Sequence, residues 1–316
     1  MLPSRPVLLK LRSMVITLAL LFPRRFNEGF IWCTQTWNQA WNPPQRKCPA
    51  RIHLSLHLVS PNNPISKEES NDATEEGDII AFTGGGIFFW WQVGWVSQAH
   101  IPDNARLVGA SAGSLTALCA KCGVGADKAY IAALSLCDKH GIFGRPLGLA
   151  MKWGELVREW LDIVLPADAH ERCSGKVHIL VSTVDPVLWP PIQRTRVTDF
   201  SSRSDLIDCA MASVHIPFFM DGALFASYRG KLCFDGSFLQ QPGELAIPNP
   251  VRNEAPDSVL SPLIFVDHKD DDMLQESAFL RLKPGPGLVH ELLDKGANFA
   301  RRMNALNSSN TCNGFS

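Results

Sequence analysis

Arg106-Leu107-Val108-Gly109-Ala110-Ser111-Ala112-Gly113-Ser114-Leu115-Thr116-Ala117 runs from a short apolar strand, through a turn of small residues, into an apolar stretch with helical character. A strand that hands over to a helix in so few residues belongs to an α/β architecture. So sharp a turn needs small residues on both sides of the serine, and Gly109, Ala110, Ala112 and Gly113 supply them. The GxSxG turn lifts the Ser111 hydroxyl clear of the backbone, and the helix N-terminus beneath it favours negative charge developing nearby. The five letters alone also fit an ordinary glycine-rich helix start, so the neighbouring segments must decide.

Upstream, Asp78-Ile79-Ile80-Ala81-Phe82 is an apolar run that ends in Thr83-Gly84-Gly85-Gly86. It predicts a buried strand feeding a tight glycine loop. Glycines let backbone N–H groups approach a ligand without Cβ obstruction, as an oxyanion site requires. No Gly-Lys-Ser/Thr follows, so a phosphate-binding P-loop is excluded. Further along, the pattern predicts helices over 87–99, 112–120, 126–139, 153–165, 205–213 and 288–306. It predicts strands over 78–82, 106–109, 177–184 and 263–266. This alternation points to a mainly parallel central sheet with helices on both faces. The domain is expected to span residues 77–316. Residues 1–76, with Pro43-Pro44, Pro61-Asn62-Asn63-Pro64 and a polar run to Glu76, are expected to form a largely irregular targeting or tether segment.

The net charge is −1, which argues against a nucleic-acid partner. That total hides an asymmetry, because residues 1–67 carry nine Lys/Arg against the single acid Glu28 and leave the remainder at −9. No apolar run reaches the roughly 18 residues of a membrane span. The basic start, with Arg5, Lys10 and Arg12 before the short apolar run Met14–Phe22, reads as an organelle address such as a plastid or mitochondrial one. A secretory signal is the alternative. The nine cysteines fall mostly in apolar stretches, so they are expected as reduced core residues, Cys119-Ala-Lys-Cys122 included.

The segments Phe82–Gly86, Gly109–Ala117, Ala212-Ser213-Val214-His215-Ile216-Pro217-Phe218-Phe219 and Phe234-Asp235-Gly236 occur in the order found in the patatin-like phospholipases. The resemblance covers roughly residues 77–240 and is greatest to the adipose triglyceride lipase branch. It implies a three-layer α/β/α fold and a Ser-Asp dyad without histidine. Ser111 would be the nucleophile, Asp235 its base, and Gly84, Gly85 and Gly86 the oxyanion loop. The implied activity is cleavage of fatty acyl esters of glycerolipids at a membrane or lipid-droplet surface inside the cell, with no metal and no cofactor. The sequence departs from the family at Phe88 and Phe89, where the glycine loop usually runs on to another glycine. Phe88, Phe89, His215 and Phe218 are the expected substrate-facing residues, with core packing the alternative.

Three rivals remain open. An α/β-hydrolase triad would need a late histidine, and His268 and His290 qualify by position, although the charged run after His268 reads as a solvated strand end. Asp221-Gly222 is a second Asp-Gly pair and is expected as a solvated turn. A lipid-binding protein that kept the fold without turnover is the third.

Overall fold

The two predicted strands flanking the glycine loop and the serine lie side by side. In the computed structural model, which describes residues 78–185, 192–238, 245, 247–248, 259–260, 264–274 and 280–312, β1 (Ile79–Phe82) leads into the glycine loop. Helix α1 (Phe89–Val96) follows, then β2 (Arg106–Ala110) and α2 (Ala112–Cys122). Next come α3 (Ala126–Lys139), α4 (Trp153–Val164), the short α5 (Ala169–Cys173) and β3 (Val177–Val184). The chain continues through β4 (Ile192–Val197), α6 (Arg203–Ser213), β5 (Ala226–Tyr228) and β6 (Lys231–Phe234). The short pair β7 (Ile247–Pro248) and β8 (Val259–Leu260), then β9 (Ile264–Val266) and the long α7 (Pro286–Cys312), complete it. The expected tether and the organelle address lie outside the described residues. Among those described, no helix is long and apolar enough to cross a membrane.

The result is a mixed α/β fold whose central strands β3, β2, β1 and β9 are parallel and flanked by helices. In β1, β2 and most of β3 the side chains are apolar on both faces, as buried parallel strands require, whereas β9 leaves Ile264 and Phe265 exposed. Ile80, Phe82, Leu107, Val177, Ile179 and Val181 join the main helical core. The alternate residues Ile79, Ala81, Val108, Ala110 and Leu180 form a second buried cluster with Leu245. Three antiparallel pairings, β3 with β4, β3 with β6 and β5 with β6, extend the sheet. Sequence reading missed β4, because Ile192-Gln193-Arg194-Thr195-Arg196-Val197 is a polar strand with most side chains only half buried.

One register relation places the site. Ile179 and Leu180 pair with both β2 and β4, while residues 182–184 pair with both β4 and β6. A strand has two edges, so β2 and β6 share the edge opposite β4. They run towards each other along it. β2 ends with Ala110 opposite Leu180, β6 ends with Phe234 opposite Ser182, and only Val181 lies between. The residues that follow, Ser111 and Asp235, therefore meet head to head.

Close backbone contacts fix the rest. A Cβ on Gly113 would sit 2.2 Å from the Phe82 carbonyl oxygen, so α2 packs directly against the end of β1. Gly94 of α1 and Gly296 of α7 do the same for their helices, with a Cβ there only 2.1 Å from Leu293 O and 1.8 Å from Trp91 O respectively. Helix α4 buries Leu156, Val157, Trp160, Leu161 and Val164 along one stripe, and each fully buried aliphatic side chain contributes about 1.5–3 kcal/mol. Cys119 and Cys122 are free and buried, in keeping with core packing, and Cys122 Sγ lies 3.7 Å from Cys173 Sγ.

Candidate active site

Ser111 occupies the turn between β2 and α2 with φ 54° and ψ −126°. Left-handed φ is rare for a residue with a side chain and is tolerated where the surroundings over-determine it. Here the Ser111 N–H donates to Ser213 Oγ at 3.0 Å, and Ser213 Oγ donates in turn to the Leu180 carbonyl at 2.8 Å. The Ser114 N–H and hydroxyl both reach back to the Ser111 carbonyl, at 2.9 and 2.6 Å. A Cβ on Gly109 would lie 2.3 Å from the Gly113 carbonyl oxygen, which is why the turn demands glycine there.

Asp235 is held as firmly. Its N–H donates to the His215 carbonyl at 2.9 Å, and its carbonyl accepts from Ser182 Oγ at 2.7 Å. The carboxylate accepts from Ser111 Oγ on Oδ2 at 2.6 Å. On Oδ1 it accepts from the Ser237 N–H at 2.8 Å and Ser237 Oγ at 2.6 Å. Arg194 of β4 binds Ser182 Oγ and donates to the carbonyls of Gly236 at 2.8 Å and Phe238 at 2.5 Å, clamping the turn that carries the acid. Burial pushes the Asp235 carboxyl above its ordinary value, opposed by the Ser111 and Ser237 hydrogen bonds and by the Arg194 charge. An aspartate destabilised in this way is a stronger base than one in water.

The glycine loop abuts the pair. A Cβ on Gly84 would stand 2.4 Å from Ser237 Cβ and 3.3 Å from Ser111 Cβ. Gly86 has φ 57°, the left-handed region in which glycine is at ease. No described residue accepts a hydrogen bond from the N–H of Gly84, Gly85 or Gly86. From below, Gln92 Nε2 donates to the Thr83 carbonyl at 2.7 Å, and Thr116 Oγ1 donates to Gln92 Oε1 at 2.7 Å. Gln92 is fully buried, and its two bonds tie the loop to α1 and α2.

A cavity of about 130 Å³ opens beside Ser111, close to the roughly 150 Å³ of an apolar cavity able to hold benzene. Its wall begins with Gly86, Ile87, Ala112 and Ser111 and continues through apolar residues of α3 and α4, including Ala133, Leu136, Trp153 and Trp160.

Of the expected substrate-facing residues, Phe89 is on this wall and packs edge-on against Trp160, with ring centroids 5.4 Å apart. The other three are not. Phe88 turns away and stacks on His268, with centroids 3.8 Å apart and planes 12° apart. His215 is buried with Nε2 3.2 Å from the Ala223 carbonyl, so its backbone rather than its ring serves the site. Phe218 is 43% exposed on a loop.

The rival histidines do not reach the pair. The Asp235 carboxylate is engaged by two serines, and among the described residues no histidine ring bonds to Ser111 or Asp235. His290 is exposed on α7 beside Tyr130. His268 is not the solvated strand end that its charged neighbours implied. It is buried beneath the glycine loop, its ring 3.1 Å from where a Gly85 Cβ would lie. Asp271 is buried too, because Trp91 Nε1 and Arg302 reach its carboxylate at 2.9 and 2.6 Å. Asp221 is the solvated turn expected, accepting the Ala223 N–H at 2.9 Å. Sequence reading missed Ser182, Arg194 and Ser213, whose contacts come from strand pairing and carry no local signature. Ser237 had one, as the polar end of an Asp-Gly-Ser turn.

Among the described residues no cluster of His, Cys, Asp or Glu has metal-binding geometry. The chain is 29% identical over 167 residues to the omega-hydroxyceramide transacylase of Mus musculus, covering 50% of this chain and 27% of that protein. It is 29% identical over 173 residues to a 1-acylglycerol-3-phosphate O-acyltransferase of Homo sapiens, covering 51% and 34%. It is 29% identical over 164 residues to the human patatin-like phospholipase domain-containing protein 2, covering 50% and 31%. The matched stretch thus spans about a third of the length of these curated relatives. Residues 80–247, more than half of the chain, match the patatin-like phospholipases as a family, and within them fall the serine turn, the glycine loop and the aspartate turn. The chain belongs to the patatin-like phospholipase family.

Proposed function

We propose that the protein is a serine lipid acyl hydrolase or transacylase that cleaves fatty acyl esters of glycerolipids through Ser111 and Asp235. The observation that carries this reading is the 2.6 Å hydrogen bond from Ser111 Oγ to Asp235 Oδ2 at the end of an apolar cavity. In the first half-reaction Ser111 Oγ attacks the ester carbonyl carbon and its proton passes to Asp235. The C–O bond of the ester then breaks, and the departing alkoxide takes that proton to leave as an alcohol. In the second, water or another alcohol attacks the acyl-serine, gives its proton to Asp235, and Ser111 recovers it as the acyl group leaves. Charge on the carbonyl oxygen would be met by the N–H groups of Gly84, Gly85 and Gly86 and by the N-terminus of α2. The apolar wall would take the acyl chain, and no step calls for a metal or cofactor.

Relatives whose names include a transacylase and an acyltransferase favour an alcohol as a second acceptor beside water. Substrate of this kind resides in intracellular membranes or lipid droplets, so the protein is inferred to act at such a surface. The test is labelling of the full chain with a serine-directed alkyl phosphonate, paired with fatty-acid release from mixed glycerolipids. Label on Ser111 with acyl release supports the reading. Absence of both in a folded protein removes it in favour of a lipid-binding role without turnover.

A further inference from the structure

The cavity wall is built partly from three loops, and the same loops expose apolar side chains to water. Phe143 lies on the wall and is itself 38% exposed. Leu147 and Met151 flank the wall residue Leu149, at 57% and 49% exposure. Phe218 flanks Phe219, and Leu282 follows Arg281, both of which line the cavity. The loops are fastened together. Leu149 N–H donates to the Leu282 carbonyl at 2.8 Å, and Met151 N–H to the Phe219 carbonyl at 2.8 Å. Met151 and Phe218 have φ of 64° and 65°, a left-handed backbone that costs about 1–3 kcal/mol in a residue with a side chain. Strain and exposed apolar surface both count against folding, yet they coincide at the cavity rim. The rim loops and Ser111 line one and the same cavity.

Charge identifies the occupant. Residues 145–155, 217–222 and 280–284 hold Arg145, Lys152, Arg281 and Lys283 against two acids, Asp221 and the Glu155 that pairs with Lys152 at 2.6 Å, a net positive charge although residues 68–316 as a whole are strongly acidic. Exposed apolar side chains on loops with an excess of cations match an anionic phospholipid surface, in which the apolar groups enter the acyl region and the cations meet the headgroups. We propose that the face formed by Phe143, Leu147, Met151, Phe218 and Leu282 docks the protein on an anionic bilayer with the cavity mouth against the lipid. The inference rests on the acyl-ester reading for its purpose but not for its test.

Hydrogen exchange of the full chain is measured with vesicles of phosphatidylcholine plus phosphatidylserine, and with phosphatidylcholine alone. Protection in 145–151, 217–222 and 280–284 is expected with the anionic vesicles. In the double variant Leu147→Asp/Leu282→Asp that protection should be lost, with vesicle affinity at least tenfold lower, while hydrolysis of a soluble short-chain ester stays within twofold. Ile131→Asp, at an apolar side chain 63% exposed on α3, should leave protection unchanged. Protection confined to residues 1–77, or none in the three loops, overturns the proposal. Protection in the loops of a protein that hydrolyses no ester keeps the docking face and removes the acyl-ester reading instead.

Discussion

Ser213 Oγ accepts from the Ser111 N–H at 3.0 Å and donates to the Leu180 carbonyl at 2.8 Å, so α6 holds the strained serine turn onto β3. Ser213→Ala leaves a buried N–H and a buried carbonyl without this bridge, at a cost of about 1–3 kcal/mol. We expect kcat on a soluble ester to fall at least tenfold with KM little changed, because the turn is displaced rather than the cavity. Steady-state kinetics beside a thermal melt check it. A melt shifted down with kcat intact would mean that Ser213 serves stability alone.

Gly84 and Gly85 should respond differently to alanine. On Gly84 the new Cβ meets Ser237 Cβ at 2.4 Å, and Ser237 is the residue that fixes Asp235 Oδ1. Gly84→Ala is therefore expected to cut turnover by roughly a hundredfold or more, the scale of a lost oxyanion donor. On Gly85 the nearest atoms are the His268 ring and Phe88 Cβ at 3.1–3.2 Å, and its φ of −177° is not the left-handed one that demands glycine. Gly85→Ala should keep activity within several-fold. The opposite order of the two variants would place the critical approach at Gly85.

The cavity wall predicts chain-length selection. Ala133→Phe projects a ring into the space that an acyl chain would fill beside Leu136 and Trp160. Each methylene kept out costs about 0.8 kcal/mol, roughly fourfold in kcat/KM. Long-chain esters should lose at least tenfold, and an acetyl or butyryl ester should be hydrolysed as before. Equal loss on all chain lengths would show that the acyl group lies elsewhere.

What was legible in the sequence follows from what each feature depends on. The serine turn and the glycine loop are local, since small residues crowd a strand-to-helix junction, and both could be read directly. The central parallel strands were legible because burial on both faces leaves an unbroken apolar run, as in Ile79-Ile80-Ala81-Phe82. The meeting of Ser111 with Asp235 was not, since it depends on β2 and β6 ending one residue apart on an edge of β3. Family resemblance supplied that pairing. Residues near charge runs misled most. His268 and Asp271 sit in a hydrophilic stretch, and only packing against the glycine loop, Trp91 and Arg302 buries them.

Buried histidines should make the fold sensitive to mild acid. Burial lowers His268 to about 4, opposed by the neighbouring Asp267, and lowers His178 to about 4 with help from the Arg196 and Arg106 charges. The unfolded chain binds these protons near pH 6.5. For a depressed histidine the stability is therefore complete above about 6.5 and declines as pH falls towards 4. His268→Phe keeps a ring to stack on Phe88 and should flatten that decline between pH 6.5 and 4 in thermal melts. An unchanged slope would assign the sensitivity to other groups.

The proposed base, Asp235, offers a test in which function and stability move in opposite directions. Burial raises the Asp235 carboxyl above its unfolded value, and the Ser111, Ser237 and Arg194 contacts only partly offset this. A group raised on folding stabilises the protein below its unfolded pKa, and that contribution is lost as pH rises through the folded value. At neutral pH an ionised Asp235 therefore counts against folding. Asp235→Asn removes the charge and can still accept from the Ser237 N–H, so its melting temperature at pH 7 should equal or exceed that of the parent. Turnover should fall on the order of 10⁴-fold, because an amide cannot take the serine proton. Ser111→Ala combined with Asp235→Asn should be little worse than either alone, since groups acting as a unit do not add. The acid limb of kcat/KM should lie above the ordinary carboxylate value of about 3.9, and Arg194→Met should move it higher by removing a compensating charge. His268→Ala and His290→Ala should each keep most activity. An Asp235→Asn variant that is less stable at pH 7 and still turns over would make Asp235 a structural carboxylate. An inactive His268→Ala or His290→Ala beside it would move the base to a histidine.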